Sequence, residues 1–317
     1  MNRGRGQSNN RRKRNSGGLV VGVGTSSVDH LCIVARHPRL DSKQPLLHYE
    51  VQPGGQVPTA LVALQRWGAG TAYIGAFGDD PGGYLARSAL AREGVSLAGA
   101  VTIRNTAQPV SVILIDQITG ERSVLHQASA RLSIAELNPE AARQLESAAV
   151  LLLDAVDLPL AIRAAEKVKQ AGGIVVLDVD RPGSGIEDLL RRSDVVITSP
   201  EFPTRLAGTD DLARALRSVA RYGPWFAAAT LGPGGALAYV HGKEHAVRGY
   251  PVHAIDSTGA GDVFHAGCIY GLLKGWEIEA TLRYAAAASA LKCRKVGGRP
   301  GIPTPEEALA FVRRWER

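Results

Sequence analysis

Residues 256–267 read DSTGAGDVFHAG, a run of small residues between two aspartates that continues into an apolar pattern. From Asp262 onward the apolar side chains recur at helical spacing, which predicts a helix over 262–274. Asp262 then lies in the first turn, and the small residues before it allow backbone N–H groups to converge on one space. The helix dipole adds a positive potential there. The segment therefore predicts a site for an anion, such as a phosphoryl group during its transfer.

Outside this segment, strand-like and helix-like patterns alternate along the chain. Apolar runs at 19–24 (LVVGVG) and 174–180 (IVVLDVD) are typical of strands. Residues 59–68 (TALVALQRWG) and 160–173 (LAIRAAEKVKQAGG) have helical spacing and end at glycine. Strands that alternate with helices of this length predict a mostly parallel sheet with helices on both faces. The expected fold class is therefore α/β, a three-layer sandwich around one central sheet.

Two stretches interrupt this alternation and predict extra strands. Residues 45–53 form an extended segment before the first helix. Residues 101–128 include an alternating apolar and polar pattern around QITGER, which predicts a β-hairpin. Extra strands within an α/β domain commonly form a small sheet that covers the site, so a β-strand lid is expected here. The alternative is an edge hairpin without a function.

A basic N-terminal segment accounts for nearly all of the net charge of +7. Its basic side chains are Arg3, Arg5, Arg11, Arg12, Lys13 and Arg14, and it contains no acid. Residues 19–317 therefore carry a net charge of about +1 and are expected to form one domain. Residues 1–18 are too polar to fold and predict a disordered tail, with no more than weak, salt-sensitive binding to nucleic acid.

The rest of the composition predicts a cytoplasmic protein with a large core. Hydrophobic residues make up 45% of the chain, but the longest apolar runs are strand-sized, so no membrane partner is expected. No signal-peptide pattern follows the basic N-terminus. Cys32, Cys268 and Cys293 have no CxxC spacing, which favours free, buried thiols in a reducing compartment.

Several ordered motifs resemble those of the ribokinase-like (PfkB-type) carbohydrate kinases. DSTGAGD resembles the D-T-x-G-A-G-D signature of that family. The other matching segments are GTSSVDH (24–30), PGGQVPTALVALQRWG (53–68), IGAFGDDPGGYLARSALAREGV (74–95), TLGPGG (230–235) and GGRPGIP (297–303). The resemblance extends over nearly all of residues 19–317 and implies a ribokinase-like sandwich with a small lid.

The resemblance implies that Asp262 is the general base that accepts the proton of a sugar hydroxyl. A carboxylate of ordinary pKa is a poor base for an alcohol, but a loose transition state needs little early proton removal, so orientation matters more. The amides of Gly259, Ala260 and Gly261 would stabilise negative charge on the transferred group. Asp256 resembles the residue that helps to hold a monovalent cation such as K⁺ in many members. The alternative role for Asp256 is to brace the loop.

The resemblance also implies the contacts to substrate and nucleotide. Asp29, Gly54 and Gly55 correspond to sugar-binding positions, and Asp154 lies at a strand end, where ligands of open α/β sheets bind. The implied nucleotide-binding positions are Ser199, Thr230, Gly232, Gly235 and Gly298. The implied cofactors are ATP and Mg²⁺, the implied partner is a small sugar, and a homodimer through the lid is expected.

The chain departs from the family pattern at three places. One is the helical segment RYAAAASALKC (283–293), which has alanines where some relatives carry an Asn that contacts the nucleotide. Thr59 stands where the Gly-Gly motif usually continues to an Asn that bonds the sugar, so the substrate contact is expected to differ. The family's Asn-x-x-Glu segment corresponds to SPEF, with Ser199 in the Asn place and Phe202 in the Glu place. Glu201, one residue early, is either a magnesium-linked acid or an exposed acid at a helix start.

These patterns together predict an ATP- and Mg²⁺-dependent kinase that phosphorylates a hydroxymethyl group of a sugar or sugar-like molecule. Ribose, a ketohexose or its phosphate, and a nucleoside are all compatible substrates. The alternative is a catalytically weak regulator of the same fold, although such a protein would not need the whole Asp262 loop. A P-loop kinase is excluded because no G-x-x-x-x-G-K-[ST] string occurs, and GVGTSS lacks the third glycine of a dinucleotide motif.

Overall fold

The computed structural model describes residues 18–129 and 131–315, so the predicted tail lies outside the described residues except for Gly18. The strands are β1 (Val20–Val23), β2 (Ser27–Val34), β3 (His48–Gly54), β4 (Thr71–Ile74), β5 (Ala76–Gly78), β6 (Val101–Ile103), β7 (Val110–Asp116), β8 (Arg122–Gln127), β9 (Val150–Leu153), β10 (Ile174–Val179), β11 (Val195–Thr198), β12 (Phe226–Thr230), β13 (Ala236–Val240) and β14 (Lys243–Val247). The helices are α1 (Gln56–Arg66), α2 (Pro81–Arg92), α3 (Pro139–Ser147), α4 (Leu158–Gln170), α5 (Ile186–Leu190), α6 (Glu201–Ala207), α7 (Leu212–Ala220), α8 (Ala260–Lys274), α9 (Ile278–Lys292) and α10 (Pro305–Trp315).

Eight strands form the central sheet in the order β14-β13-β12-β11-β10-β9-β1-β4. The six strands from β12 to β4 in this order are parallel, and β13 and β14 are antiparallel additions at one edge. Strands β9 (VLLL) and β11 (VVIT) are buried at every residue, as expected for a parallel sheet that is covered on both faces. The predicted α/β fold class is therefore confirmed.

Helices cover both faces of the central sheet, and an apolar core lies between the sheet and the helices on each face. Helices α1, α8 and α9 cover one face, and Phe264 of α8 belongs to that core. Helices α4, α5 and α7 cover the other, with Leu160 and Leu216 among the buried residues. Helices α8 and α9 approach closely, because a Cβ at Gly267 would lie 2.5 Å from the Cα of Ala285. The two helices therefore pack closely against each other on that face of the sheet.

A second sheet, with strand order β3-β2-β7-β8, is called the lid here. Three of its strands fall within the two stretches where extra strands were expected, and β2 is a further strand that follows β1 directly. Residues 101–103 do not join the lid, because β6 pairs with β5 in a separate two-stranded sheet. Alternation along a short strand predicts that strand, but its partner depends on contacts between distant parts of the chain.

The register of the lid divides its side chains between two faces. Asp29 pairs with Gln52 and Ser111, and Ser111 pairs with His126, so these four polar residues share one face. The opposite face exposes apolar side chains, namely Tyr49 (52% exposed), Val51 (39%) and Leu125 (64%). The face with the four polar residues also carries the buried cluster of Leu31, Ile113 and Ile115, so it is the inner face of the lid, and the other is its outer face.

Candidate active site

Helix α8 begins as the sequence pattern predicts, with Asp262 in its first turn. Gly259 precedes it in a left-handed conformation with φ of 77°, and a Cβ there would lie 2.7 Å from the Cα of Gly298. Residues 256–261 are called the anion-binding loop here. The amide of Ala260 donates to the carbonyl of Ser257 at 3.2 Å, so binding of an anion by that amide requires this bond to be shared or released.

Asp256 holds the anion-binding loop in place. Its side chain is fully buried, and its two carboxylate oxygens accept hydrogen bonds from the amides of Thr258 (2.8 Å) and Gly297 (2.7 Å). Its carbonyl oxygen accepts a third hydrogen bond, from Nζ of Lys292 at 2.9 Å. These contacts are the ones expected if Asp256 braces the loop. Through them, Asp256 joins the loop before α8 to the segment after α9.

The electrostatic surroundings of Asp262 favour its protonated form in the absence of ligands. Burial, followed by the charge of Asp178, raises the pKa of Asp262 from 3.8 to about 8. His265 and Arg122 act in the opposite direction with smaller effect. This direction differs from the ordinary carboxylate pKa assumed from the sequence, which reveals neither the burial of Asp262 nor its proximity to Asp178 at the end of β10.

His265 links the first turns of α8 to the central sheet. Its Nδ1 atom lies 2.7 Å from the carbonyl oxygen of Gly261, and its Nε2 atom lies 3.1 Å from that of Ile197. Nε2 also lies 3.4 Å from Oδ1 of Asp178. Carbonyl oxygens only accept hydrogen bonds, so each ring nitrogen can donate to its carbonyl only when it carries a proton. His265 thereby lies between the first turns of α8, β11 and Asp178.

Asp29 and the Gly-Gly motif meet on the inner face of the lid. A Cβ at Gly54 would lie 2.0 Å from the Asp29 carboxylate, so a larger residue there would displace that side chain. Ser27 donates to Oδ1 of Asp29 at 2.9 Å. Burial raises the pKa of Asp29, and the hydrogen bond from Ser27 and the charge of Arg299 oppose this effect. Gly55 is equally confined, because a Cβ there would lie 2.5 Å from the carbonyl oxygen of Thr25.

Asp154 lies at the end of β9, as the sequence suggested, and it is buried. Its carboxylate accepts hydrogen bonds from the amides of Thr25 (2.7 Å) and Val156 (3.1 Å). Burial raises its pKa to about 6, although both hydrogen bonds lower it. These contacts tie the segment between β1 and β2 to β9. A sugar contact by Asp154 stays a prediction.

The lid contacts the anion-binding loop directly. Nη1 of Arg122 lies 3.0 Å from both the carbonyl oxygen and the Oγ atom of Ser257. The amide of Ser257 in turn donates to the carbonyl of Gly120 in the β7–β8 turn at 3.1 Å. Gln127, also on β8, pairs with Val110 and lies on the outer face. Arg122 therefore contacts the anion-binding loop from the inner face of the lid.

The predicted nucleotide positions gather at the ends of neighbouring strands. Ser199 and Glu201 follow β11, Thr230 ends β12, and the register pairs Thr198 with Ala229 on these two strands. Gly232 and Gly235 lie in the turn before β13. Glu201 is exposed and forms an ion pair with Arg205. Within the described ranges, no group of three or more His, Cys, Asp or Glu side chains is arranged to hold a metal ion.

Residues 18–305 match the family model described as pfkB family carbohydrate kinase. The chain belongs to the pfkB family of carbohydrate kinases. It is 25% identical to a ribokinase from Haemophilus influenzae over 297 residues, which cover 92% of this chain and 97% of that protein. It is 32% identical to a fructokinase from Klebsiella pneumoniae over 237 residues, which cover 69% and 76% of the two chains.

Structural comparison agrees with this assignment to the pfkB family. The ribokinase of Arabidopsis thaliana, solved with ribose and ATP, superimposes with a TM-score of 0.81 at 23% identity. The alignment covers 94% of this chain and 99% of the plant protein, and it shows that the two share a fold. Solved structures of this fold hold ATP, ADP or Mg²⁺. The resemblance to ribokinase-like kinases and the ribokinase-like fold are therefore both confirmed.

Membership of the pfkB family supports a sugar kinase and gives no support to the alternative of a catalytically weak regulator. It leaves the identity of the sugar open, because the relatives include both ribokinases and fructokinases. No helix within the described residues is long and apolar enough to cross a membrane.

Arg299 is a residue of the candidate site that sequence reasoning missed. It lies next to Gly298, is only 6% exposed, and its Nη2 donates to the carbonyl oxygen of Gly54 at 3.3 Å. Its Nε and Nη1 atoms are buried without a partner among the described residues. Burial lowers its pKa to about 10. Thr59 is also buried beside Gly298, with Oγ1 3.6 Å from the position of a Cβ there. The motif GGRPGIP marked this turn, but only the fold shows that its arginine points inward.

Proposed function

We propose that this protein is an ATP- and Mg²⁺-dependent kinase that transfers a γ-phosphoryl group to a hydroxymethyl group of a sugar or sugar-like molecule. The observation that carries the proposal is the position of Asp262 at the start of α8, directly after the anion-binding loop. Asp29 and Gly54 lie on the lid side of this loop, and the loop touches Gly298. The names of the relatives support a sugar as the acceptor.

The residues suggest a division of labour during transfer. The substrate hydroxyl oxygen forms a bond to the γ-phosphorus, the bond from phosphorus to the bridging oxygen breaks, and ADP leaves. Asp262 accepts the hydroxyl proton, for which it must be ionised. The amides of Gly259 and Gly261, together with the dipole of α8, stabilise charge on the transferred oxygens. Arg122 adds a positive charge from the lid.

The nucleotide is proposed to bind along the ends of β11 and β12. Ser199, Thr230, Gly232 and Gly235 would contact it there, and Gly298 would lie on the other side of the anion-binding loop. Mg²⁺ prefers oxygen ligands and is usually held by one or two carboxylates together with phosphates, so Glu201 offers a donor of a suitable kind. When bound, Mg²⁺ would neutralise charge on the phosphates.

The substrate is proposed to be larger than ribose, or to carry an anionic group. Thr59 is buried and stands where the family pattern has an Asn. Its hydroxyl is shorter than the Asn amide and offers one hydrogen-bonding group fewer. Arg299 and Arg122 add positive charge around the same space. Asp29, Gly54 and Gly55 would bind the sugar hydroxyls, with Asp154 behind them.

A second copy of the chain is proposed to cover the outer face of the lid. Its exposed apolar side chains are Tyr49 and Val51 on β3, at one edge of the lid, and Leu125 on β8, at the other edge. A partner that covers the whole face would bury both edges. The free thiols of Cys32, Cys268 and Cys293 are all buried, which supports a location in the reducing cytoplasm.

The proposal is tested by measuring ADP formation with a panel of sugars, sugar phosphates and nucleosides. We expect one class to stimulate ADP release and Asp262→Asn to abolish the stimulation. Asp188→Asn, at an exposed carboxylate of α5, serves as the matched control and should behave as wild type. If no sugar stimulates ADP release while ATP still binds, the kinase assignment is wrong.

A further inference from the structure

Lys292, at the end of α9, is a fully buried lysine. Its Nζ atom donates to the carbonyl oxygen of Asp256 at 2.9 Å, directly behind the anion-binding loop. Among residues 18–129 and 131–315, no carboxylate lies within ion-pair distance of this ammonium group. Lysine is rarely buried completely without such a partner. The burial of this positive charge without a carboxylate partner therefore needs an explanation.

The resemblance to relatives implied a monovalent cation at Asp256, and the residues present do not fit one. A bare cation needs several free oxygen ligands. Both carboxylate oxygens of Asp256 already accept backbone hydrogen bonds, from Thr258 and Gly297. Its carbonyl oxygen is bound by Lys292. A cation at this carboxyl group would also lie beside the lysine ammonium and would be repelled by it.

We propose that Lys292 takes the place of the monovalent cation, so that phosphoryl transfer by this protein depends on neither K⁺ nor Na⁺. Lys292 is a positioning residue, because it acts on the transferred group through the anion-binding loop. It ties the carbonyl of Asp256 to α9, and its charge lies on the side of the loop opposite the bound anion. The inference rests on the proposed kinase function for its effect on catalysis, but not for its effect on cation binding.

The charges around Lys292 are consistent with this role. Burial lowers the pKa of Lys292 and is the largest effect; Asp256, Cys293 and Asp262 raise it, and the charge of Arg122 lowers it. Asp256 makes the largest contribution of the three that raise it. Negative phosphoryl oxygens at the anion-binding loop would further favour the charged ammonium. The hydrogen bond from Nζ of Lys292 to the carbonyl oxygen of Asp256 is observed whatever the net effect of these charges on the pKa of Lys292.

The first test compares wild-type protein in K⁺, Na⁺ and choline chloride at equal ionic strength. With a non-hydrolysable ATP analogue bound, we expect melting temperatures within about 1 °C in the three salts, because no cation site is filled. We expect turnover of the best sugar within about twofold. A melting temperature that K⁺ raises by 3 °C or more over choline, or activation of fivefold or more, would overturn the proposal. The melting readout decides the matter even if no sugar is phosphorylated.

The second test removes the charge. Lys292→Met keeps the length and apolar stem, and we expect turnover to fall by roughly tenfold or more while the ATP analogue still raises the melting temperature. Lys295→Met, at an exposed lysine one turn further on, is the matched control and should keep wild-type turnover in all three salts. A folded Lys292→Met protein with turnover within twofold of wild type contradicts the proposal. If that variant does not fold, the comparison of salts with the wild-type protein decides alone.

Discussion

Oδ2 of Asp256 accepts a 2.7 Å hydrogen bond from the backbone amide of Gly297, and this bond joins the loop before α8 to the segment after α9. We therefore expect Asp256→Asn to destabilise the protein. The asparagine NH₂ group would face the amide of Thr258 or Gly297 and leave one of them without an acceptor, which costs about 1–3 kcal/mol. Urea unfolding measures the change. Asp211→Asn, at the N-cap of α7, is the control and should cost little, because asparagine caps as well as aspartate. Equal urea midpoints for Asp256→Asn and wild type would contradict the bracing role.

Asp262→Asn is expected to lower the rate of phosphorylation by at least about 100-fold, the usual scale for a positioned general base. Asparagine has nearly the same size, so binding of ATP should be retained. Rapid-quench or coupled assays give the rate, and calorimetry gives the affinity for ATP. A rate within threefold of wild type would remove Asp262 from the mechanism.

The raised pKa of Asp262 predicts a dependence of stability on pH. The pKa is about 8 in the folded protein and 3.8 as its ordinary value, so between these values the folded state binds a proton that the unfolded state has lost. The free energy of unfolding therefore falls as pH rises through this window. Asp262→Asn removes this contribution, and we expect the variant to exceed wild type by about 1–3 kcal/mol at pH 9, with the gap closing towards pH 4. Urea unfolding at several pH values tests it. A gap that is constant with pH would show that Asp262 titrates normally.

The pocket around Thr59 is expected to disfavour ribose. A sugar hydroxyl that is left without a hydrogen bond costs about 1–3 kcal/mol, or roughly 5- to 150-fold in specificity. Values of kcat/KM for ribose, fructose, fructose 6-phosphate and adenosine measure this, and Thr59→Asn should raise the value for ribose. Thr59→Val is the control that keeps the shape without a polar group. A tenfold preference for ribose in wild type, together with no gain in Thr59→Asn, would refute the argument.

Leu125→Glu is expected to convert a dimer into monomers, because Leu125 is 64% exposed on the outer face of the lid, on its edge strand β8. Light scattering after size-exclusion chromatography gives the mass. Leu40→Glu, at a fully exposed leucine outside the lid, should leave the mass unchanged. A wild-type protein that is monomeric, or a Leu125→Glu variant that stays dimeric, would exclude assembly through this face.

The sequence predicted those features that depend on local spacing. The helix expected from residue 262 is α8, which begins only two residues earlier, and Asp262 lies in its first turn. The same spacing argument placed α1 and α4 correctly. The partner of each lid strand was harder to predict, because 101–103 alternates like a lid strand yet pairs with β5. Pairing of this kind depends on loop closure over tens of residues, which local pattern does not report.

By itself, the amino-acid sequence determined the α/β class, the start of α8 and the glycines of the anion-binding loop, because these follow from periodicity and from local steric limits. Only the tertiary structure decided the chemistry around them. It buried Arg299 and Lys292 beside the loop, and the burial of Asp262, followed by the nearby charge of Asp178, raised the pKa of the predicted base. The physical reason is that desolvation and charge–charge interactions depend on distance in space, and these residues are separated by many positions along the chain.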